Sequence, residues 1–543
     1  MMLCKIVQCI LTATLFLLLY AYIKVLYRCM IKVRVNKSDG KKSKKPHDNA
    51  LQRNVDIHIE KLDQPPGPLP LPIIGNLLLI GRYAVPFQGF TELAKKYGDI
   101  YTLTLGSTKC LIVNNLNVIR EVLNKNGKFF GGRPDFKRFH VLFGGDRSNS
   151  LALCDWSQLQ QRRRNLARKH CSPRDASSFY QKMSDVGCSE MHEFIDRLSQ
   201  IMIPGEDFEI KPVVQQTCAN MFIQYMCSLR FSYDDKRFEK IVKCFDEIFW
   251  EINQGYAVDF LPWLSPFYGS HMKRIVYWSE TIRTFILEHI IDKRENDLNL
   301  DEPERDFTDA LLKSLVEDDV SRDTIIFMLE DFIGGHSAIG NLVMLALAYI
   351  VRNPIVGQKI QHEIDGIMDD TKCCVHLTDI EQMPYTVATI FEVLRYSSSP
   401  IVPHVATEDV AIAGYGITKG TLVFINNYEL NTSEKYWTQP QEFNPDRFTE
   451  RKPPTYSTST SNKQLNQIQL RKNIPHFLPF SIGKRTCIGQ NLVKAFSFIM
   501  LANIMHKYDV SCRNVENIRT YPACIAIPHH TFYLSLKPRV SKI

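Results

Sequence analysis

The sequence predicts a mainly α-helical protein with small β-sheets, and three observations favour this class. Helical patterns of apolar residues cover most of 174–300, all of 321–352 and the run 490–504. Two short runs, 100–105 and 109–114, are rich in apolar and β-branched residues, as strands are. Residues 405–424 form another β-rich stretch, interrupted by glycines. Helices therefore dominate, and the strands are too short for a large sheet.

Composition sets the broad class of the protein. The chain has 543 residues, of which 45% are hydrophobic and 23% are charged, as in ordinary globular proteins. Its fifteen cysteines are scattered, without a disulfide framework or the paired CxxC spacing of a zinc site. This usage indicates free thiols in a reducing compartment. The net charge of +8 is modest, and we expect no nucleic-acid partner.

The N-terminal region predicts a membrane anchor. Residues 6–27 are almost continuously apolar and are long enough to span a bilayer as a helix. The run is too long for the apolar core of a signal peptide, and no small-residue cleavage site follows it. Basic residues follow the run in excess, so the positive-inside rule places the rest of the chain in the cytosol. We expect an anchor over 1–28, a basic linker over 29–64 and one large domain over 65–543.

The large domain begins with a proline-rich run at 65–72, which is stiff and extended and suits a spacer behind an anchor. Helices are predicted over 90–96 and 118–123, on either side of the two strands. Residues 449–475 are polar and low in complexity, so they predict an extended disordered insert within the domain. The last segment, 521–538, is predicted to form a hairpin.

The densest pattern in the chain is FSIGKRTCIG at 480–489. Cys487 precedes an apolar helical run, and the free N–H groups and dipole of a helix N-terminus stabilise a thiolate, which is the metal-binding form of cysteine. Gly483 permits a tight turn, and Gly489 permits close approach to a flat ligand. Arg485 can form paired hydrogen bonds to a carboxylate. The alternative is a buried structural cysteine beside a turn.

With Phe480, these residues resemble the FxxGxRxCxG haem-binding loop of the cytochromes P450. The resemblance implies that residues 65–543 have the cytochrome P450 fold and bind haem b. It makes Cys487 the axial thiolate and metal ligand, and it places Phe480, Gly483 and Arg485 around the cofactor. In such enzymes the thiolate donates electron density that favours O–O cleavage. We therefore expect an oxidoreductase of the monooxygenase type.

Other motifs of this family occur in the same order. FGGRP at 130–134 resembles the FxxRP element, and FNPDRF at 443–448 resembles the FxPxRF element. Glu392 and Arg395 are three residues apart and share one face of a predicted helix. The resemblance implies that this pair and Arg447 form a buried network that holds the haem loop. Two arginines on one carboxylate satisfy its lone pairs, so this network is structural rather than catalytic.

Two further residues are expected beside the haem by resemblance. Trp156 begins a predicted basic helix, 156–170, and the family places an arginine four residues after this tryptophan. The chain has Gln160 there, so Arg162 is the candidate substitute. His404 stands in a PHxxTxD pattern where a partner of a haem propionate is expected. A lone histidine is otherwise an ordinary core or surface residue.

The helix predicted over 321–352 carries GGHSA at 334–338. Its position resembles the P450 helix that crosses the haem face, so Gly335, His336, Ser337 and Ala338 are the candidate catalytic residues. The family has an acidic residue and then a threonine for proton delivery where this chain has Ser337 and Ala338. Ala338 has no hydroxyl and cannot take that role. Ser337 and His336 are the remaining candidates.

At a finer level, runs such as 334–341 and 477–487 resemble the insect P450s of the Spook and Spookier type. This implies an endoplasmic reticulum enzyme that acts on a sterol early in ecdysteroid (moulting hormone) biosynthesis, between 7-dehydrocholesterol and the ketodiol. Electrons would come from NADPH through NADPH–cytochrome P450 reductase, docked on the basic helix.

Three questions stay open at this point. The chain could instead be a haem-thiolate isomerase or dehydrogenase on the same sterol, since neither reaction needs a delivered proton. It could also be a haem-binding sensor that never turns over. The apolar segment 259–264 is either an ordinary turn between helices or a loop that dips into the membrane.

Overall fold

A computed structural model describes residues 19–20, 23, 32–36, 59–175, 177–317, 321–368, 372–452 and 468–539. The predicted anchor over 1–28 lies almost entirely outside these residues, as do 37–58 of the predicted linker and the centre of the predicted insert. Within them, Arg322–Arg352 is the one helical stretch that is long and apolar enough to cross a membrane. Because 83% of its most apolar window is buried inside the protein, it packs as a core helix.

Helices make up most of the described part of the chain, as the sequence predicts. In chain order they are α1 (Leu77–Ile80), α2 (Pro86–Tyr97), α3 (Leu116–Arg120), α4 (Lys137–Leu142), α5 (Gln158–Cys171), α6 (Ser178–Ile201), α7 (Lys211–Cys227), α8 (Lys236–Ile252), α9 (Ala257–Phe260), α10 (Gly269–Ile286), α11 (Asp292–Asn296), α12 (Phe307–Glu317), α13 (Arg322–Ile333), α14 (His336–Arg352), α15 (Pro354–Asp365), α16 (Pro384–Ser397), α17 (Asn427–Thr432) and α18 (Gln490–Lys507).

The strands are short and form small separate sheets. They are β1 (Val33–Asn36), β2 (Ile59–Leu62), β3 (Ile100–Leu105), β4 (Thr108–Val113), β5 (Asp207–Phe208), β6 (His404–Val405), β7 (Val410–Ile412), β8 (Tyr415–Ile417), β9 (Leu422–Ile425), β10 (Thr449–Arg451), β11 (Ile468–Leu470), β12 (Tyr508–Ser511) and β13 (Leu534–Pro538). The largest sheet has the order β3-β4-β9-β6, with β4 and β9 parallel and the outer pairs antiparallel. This sheet fixes His404, which pairs with Val423 across β6 and β9.

The main apolar core surrounds α14. This helix packs against α7, α8, α16 and α18, and almost all of its residues are buried. After Asn341 it is apolar on every side, which is the pattern of a helix inside a core rather than on a surface. It ends where Asn353 and Pro354 begin α15, because proline cannot continue the hydrogen-bond ladder. The central helix and the helix after the Cys487 loop therefore lie against each other.

The long helix predicted over 321–352 is present as α13 and α14, separated by Gly334 and Gly335. Both glycines keep right-handed helical dihedral angles. The N–H groups of Gly335, Ser337 and Ala338 bond to carbonyls three residues back instead of four. Glycine is the weakest helix former after proline, which explains why the ladder changes here.

Two of the sequence-based boundaries are wrong. The segment 521–538 is not a hairpin, because β13 pairs with β12 on one side and β5 on the other. The insert expected over 449–475 is too wide, because β10 and β11 form an antiparallel pair at its two ends. In both cases the partner strand is supplied by a segment that local patterns do not reveal.

Candidate cofactor site

The loop 480–489 is a closed turn that presents Cys487 directly before α18. The N–H of Cys487 donates to the carbonyl of Phe480 at 2.9 Å, and the hydroxyl of Thr486 donates to the carbonyls of Phe480 and Ser481. Gly483 has φ +77°, and a Cβ there would overlap the carbonyl oxygen of Leu123. Glycine is required at this position for both reasons.

The pKa of the Cys487 thiol is raised although the residue is exposed. Loss of solvation is the largest influence on this pKa. The N–H of Gly489 and the charge of Arg164 act in the opposite direction without reversing the shift. The sequence predicts a stabilised thiolate here, which would mean a lowered pKa. The pKa is raised instead, because loss of solvation outweighs the effect of the helix N-terminus.

Arg485 and His404 each present a buried nitrogen that has no partner. Nη2 of Arg485 donates to the carbonyls of Ala152 and Cys154, both at 2.8 Å, whereas its Nη1 is unpaired. Nδ1 of His404 lies 2.8 Å from the carbonyl of Phe130, whereas its Nε2 is unpaired. Unpaired buried polar atoms are costly, and Nη1 of Arg485 is a donor that suits an acceptor oxygen. Burial lowers the pKa of His404, so its Nε2 would donate only from a protonated ring, a form that a carboxylate beside it favours.

Arg133 adds a second buried guanidinium beside Arg485. It donates to the carbonyls of Ala152, Val402 and Pro403. Burial lowers the pKa of both arginines, and the charge of Arg485 lowers that of Arg133 further. The pocket is therefore positively charged and favours an anionic group. Sequence reasoning did not single out Arg133 as a site residue, although the FGGRP motif contains it.

Trp156 joins the segment 130–133 to the loop 480–489. The backbone N–H of Trp156 donates to the carbonyl of Gly131 at 3.0 Å, and Nζ of Lys484 lies 5.4 Å from the centre of the indole ring. Trp156 precedes α5, which begins at Gln158 rather than at the predicted position.

The predicted substitute for the missing arginine is wrong, because Arg162 is exposed on α5. Gln160 is buried and donates to the carbonyl of Leu151 at 2.7 Å. Arg164 reaches the loop instead, where it donates to the carbonyl of Thr486 at 2.6 Å. No sequence signal distinguished Arg164 from its basic neighbours.

The four candidate catalytic residues lie on two different faces of the central helix, by which we mean α13 and α14 with the two glycines between them. Asp331, Gly334, Gly335 and Ala338 are half-exposed within an otherwise buried stretch. Their spacing places them on one helix face, which we call the open face. The side chains of His336 and Ser337 have 0% exposure. Gly335 and Ala338 therefore share the open face, whereas His336 and Ser337 do not.

His336 packs against α8 rather than toward the open face. Its ring lies 5.3 Å from that of Phe245, and its Nδ1 is 2.6 Å from the carbonyl of Ile333. The hydroxyl of Ser337 is 3.5 Å from Nε2 of His336. Burial lowers the pKa of His336 to about 4, so the imidazole is neutral at physiological pH.

The network predicted from the ExxR pair is present. Arg395 donates to both carboxylate oxygens of Glu392, at 2.6 and 2.7 Å, and Nε of Arg447 lies 3.4 Å from the same carboxylate. The side chains of Glu392 and Arg395 are both 0% exposed. The remaining donors of Arg395 bond to carbonyls of Asn431, Pro440 and Glu442. This network holds α16 against the segment that precedes the Cys487 loop.

Comparisons with known proteins agree with this geometry. The family model described as Cytochrome P450 matches residues 65–536. The chain is 59% identical to Cytochrome P450 307a1 of Drosophila melanogaster over 549 residues, covering 99% of each protein. It is 29% identical to Cytochrome P450 1A1 of Mesocricetus auratus, covering 85% of this chain and 87% of that protein.

Among solved structures, the chain resembles a zebrafish cytochrome P450 determined with abiraterone. The TM-score is 0.68 at 21% identity, and the match covers 84% of this chain and all of that one. At this identity the likeness concerns the fold alone. The family match and the full-length relative together assign the chain to the cytochrome P450 family, the haem-thiolate monooxygenases that receive electrons from NADPH through a reductase.

Proposed function

We propose that the protein is an endoplasmic reticulum monooxygenase that acts on a sterol in insect ecdysteroid biosynthesis, early between 7-dehydrocholesterol and the ketodiol. The observation that carries the proposal is the full-length identity of 59% to a Drosophila melanogaster P450. The runs 334–341 and 477–487, which resemble the Spook and Spookier type, give further support.

Haem b fits the residues of the site. Cys487 would supply the thiolate to the iron, and the unpaired nitrogens of Arg485 and His404 would bind the propionates. An added Cβ at Gly489 would meet nothing within 4 Å, which leaves room for a flat macrocycle. Phe480 and Trp156 would border it. When bound, haem supplies one-electron and O₂ chemistry, and the protein supplies its binding and orientation.

The open face sets what the chain itself contributes to the reaction. On this face Ala338 presents a methyl group instead of a hydroxyl, and the carboxylate of Asp331 is bonded to Ser150 and Leu151, which leaves a mainly apolar surface that suits a flat apolar substrate. Ser337 and His336 are buried behind this face, so in this arrangement neither reaches a substrate that lies on it. This observation favours a second candidate function, isomerisation or dehydrogenation of the same sterol, because neither needs a proton delivered from this helix.

An exposed apolar surface supports a membrane location. Trp263 and Phe267 are 58% and 81% exposed in the turn after α9, and Leu71, Ile73 and Leu78 are also exposed. Both groups lie beside the turn between β3 and β4. Gly75 forms a β-bridge with Leu105 on one side of this turn, and an added Cβ at Gly106 would overlap the carbonyl of Phe260 on the other. We propose that this surface lies against the membrane, with 1–28 as the single anchor and the haem domain in the cytosol.

The reductase would dock behind the Cys487 loop. Arg162, Arg168 and Lys484 are exposed there, and Arg164 joins α5 to the loop. A basic surface of this kind steers an acidic partner and loses its effect as salt rises. This surface lies close to Cys487, which would hold the haem that receives the electrons.

Reconstituted turnover tests the proposal. The purified full-length protein, NADPH–cytochrome P450 reductase and NADPH are given 7-dehydrocholesterol under isotopically labelled O₂, with a matched reaction that lacks the reductase. We expect a reductase-dependent product that carries the label. A reductase-dependent product without label would favour dehydrogenation or isomerisation. Failure to form any product would contradict the assigned substrate while leaving the family assignment intact.

A further inference from the structure

Asp331, on the central helix, binds a loop that borders the cofactor site. It lies on the open face, one turn before Gly335. Its carboxylate accepts from the N–H of Leu151 at 2.5 Å and from the hydroxyl of Ser150 at 3.2 and 3.3 Å. Hydrogen bonds to an ionised carboxylate are among the strong ones in proteins. Asp331 thus anchors residues 150–154, which we call the bridging loop.

The other side of the bridging loop holds the two buried arginines. The carbonyl of Ala152 accepts from Nε of Arg133 and Nη2 of Arg485, and the carbonyl of Cys154 accepts from the same Nη2. Only Leu151, which is itself bonded to Asp331, lies between the anchored Ser150 and Ala152. The carboxylate of Asp331 and the guanidinium of Arg485 are therefore joined through a very short stretch of backbone.

The bridging loop contains no helix or strand, and the hydroxyl of Ser150 shapes it by accepting from the N–H groups of Ala152 and Leu153. Arg147 also donates to the carbonyl of Leu153, and the side chains of Leu151, Leu153 and Cys154 are buried. Gln160 adds one bond to the carbonyl of Leu151. Because the same hydroxyl donates to Asp331, the carboxylate orients the group that shapes the loop.

We propose that Asp331 is a positioning residue that, through the bridging loop, aims Arg485 and Arg133 at the haem carboxylates. The proposal rests on the haem assignment made above. Nη2 of Arg485 is held by two loop carbonyls, so the direction of its unpaired Nη1 depends on where those carbonyls lie. A loop freed from Asp331 would turn the guanidinium away from its ligand.

The neighbouring carboxylate provides a matched control. Glu330 is also buried, but it pairs with Arg283 at 3.4 Å and has no bond to the bridging loop among the described contacts. Burial raises the pKa of Asp331 and the charge of Arg163 opposes this shift, but the guanidinium of Arg163 donates to the carbonyl of Ser148 and to Thr324 instead. Burial raises the pKa of Glu330 to about 8, so Glu330→Gln changes the same helix with little change of charge at neutral pH and without releasing the loop.

The test uses the full-length protein loaded with haem. Haem loss is measured by transfer to excess apomyoglobin, and we expect Asp331→Asn to accelerate it by about tenfold, since a charge-assisted anchor is lost. The reduction potential is measured on Ser150→Ala, which keeps the charge at 331, and we expect it to fall because a cation moves away. Glu330→Gln should match the wild type. If Asp331→Asn does not load haem, Ser150→Ala is measured in its place, and we expect the same direction.

A double-mutant cycle with Arg485→Lys identifies the route. If Asp331 acts through Arg485, the double variant loses haem no faster than Arg485→Lys alone. Additive effects would overturn the proposed route, as would Asp331→Asn and Ser150→Ala variants that both match the wild type while Arg485→Lys loses haem. If Arg485→Lys itself retains haem normally, the propionate assignment is wrong and the inference fails with it.

Discussion

Cys487 is the residue on which the haem assignment depends. We expect Cys487→Ala to lose the thiolate-type absorbance of the ferrous carbon monoxide complex, because the loop 480–489 contains no second cysteine. The exposed Cys373 lies outside the loop, so Cys373→Ala is the matched control and should keep the spectrum. A thiolate-type spectrum in Cys487→Ala would contradict the ligand assignment.

Glu392 is the carboxylate at the centre of the buried network with Arg395 and Arg447. We expect Glu392→Gln to reduce the free energy of unfolding by about 3–5 kcal/mol, because it leaves Arg395 buried without its counter-charge. Denaturant unfolding followed by circular dichroism measures this change. Glu92→Gln removes an exposed pair with Lys95 and should change the free energy by less than about 1 kcal/mol. Equal effects of the two substitutions would refute the structural role.

His336 makes the stability of the protein sensitive to acid. Its pKa is about 4 in the folded protein and 6.5 as the ordinary value, so the unfolded chain binds the proton more readily. The stability from the neutral imidazole is complete above pH 6.5 and is lost as the pH falls toward 4. We expect a loss of about 2 kcal/mol at pH 5.

Unfolding free energies at pH 7.5 and pH 5 measure this effect. His336→Gln should show a smaller acid-induced loss than the wild type, whereas the exposed His530→Gln should show the same loss. An unchanged acid sensitivity in His336→Gln would mean that the imidazole is not the responsible group.

The central helix is the element that decides the type of reaction. Ala338 lies on the open face, so the larger side chain of a threonine there would extend away from the core and would not displace core residues. We expect Ala338→Thr to bind haem normally, with an unchanged ferrous carbon monoxide spectrum. Gly340→Ala is the contrasting variant, because an added Cβ would overlap the amide of Gln215 and destabilise the protein. Loss of haem in Ala338→Thr would show that this helix is misplaced relative to the cofactor.

Elements with strong local patterns were predicted well. The strand Ile100–Leu105 has the predicted bounds, and α2 and α16 lie where the amphipathic and ExxR patterns place them. The pairing of β13 and the true width of the insert were missed, because a strand's partner is chosen by contacts between distant segments. Local patterns determine whether a segment is a helix or a strand more readily than they determine which other segments it pairs with.

At the scale of the whole molecule, the apolar surface around Trp263 should meet the membrane. We expect brominated lipids to quench the tryptophan fluorescence of the full-length protein in vesicles, and Trp263→Phe to remove much of that quenching. Trp437 is buried, so Trp437→Phe should leave the quenched fraction unchanged or larger. Equal quenching in the wild type and Trp263→Phe would place this surface away from the bilayer.

The sequence alone determined the haem loop, the Glu392 network and the predominance of helices. Each depends on residues that are close in the chain and whose chemistry is restricted, such as a cysteine between glycines before a helix. Only the tertiary structure brought Arg133, Arg485 and His404 together and turned His336 and Ser337 away from the open face. It also joined Asp331 to the bridging loop. These arrangements arise from packing between distant segments, which local sequence does not encode by itself.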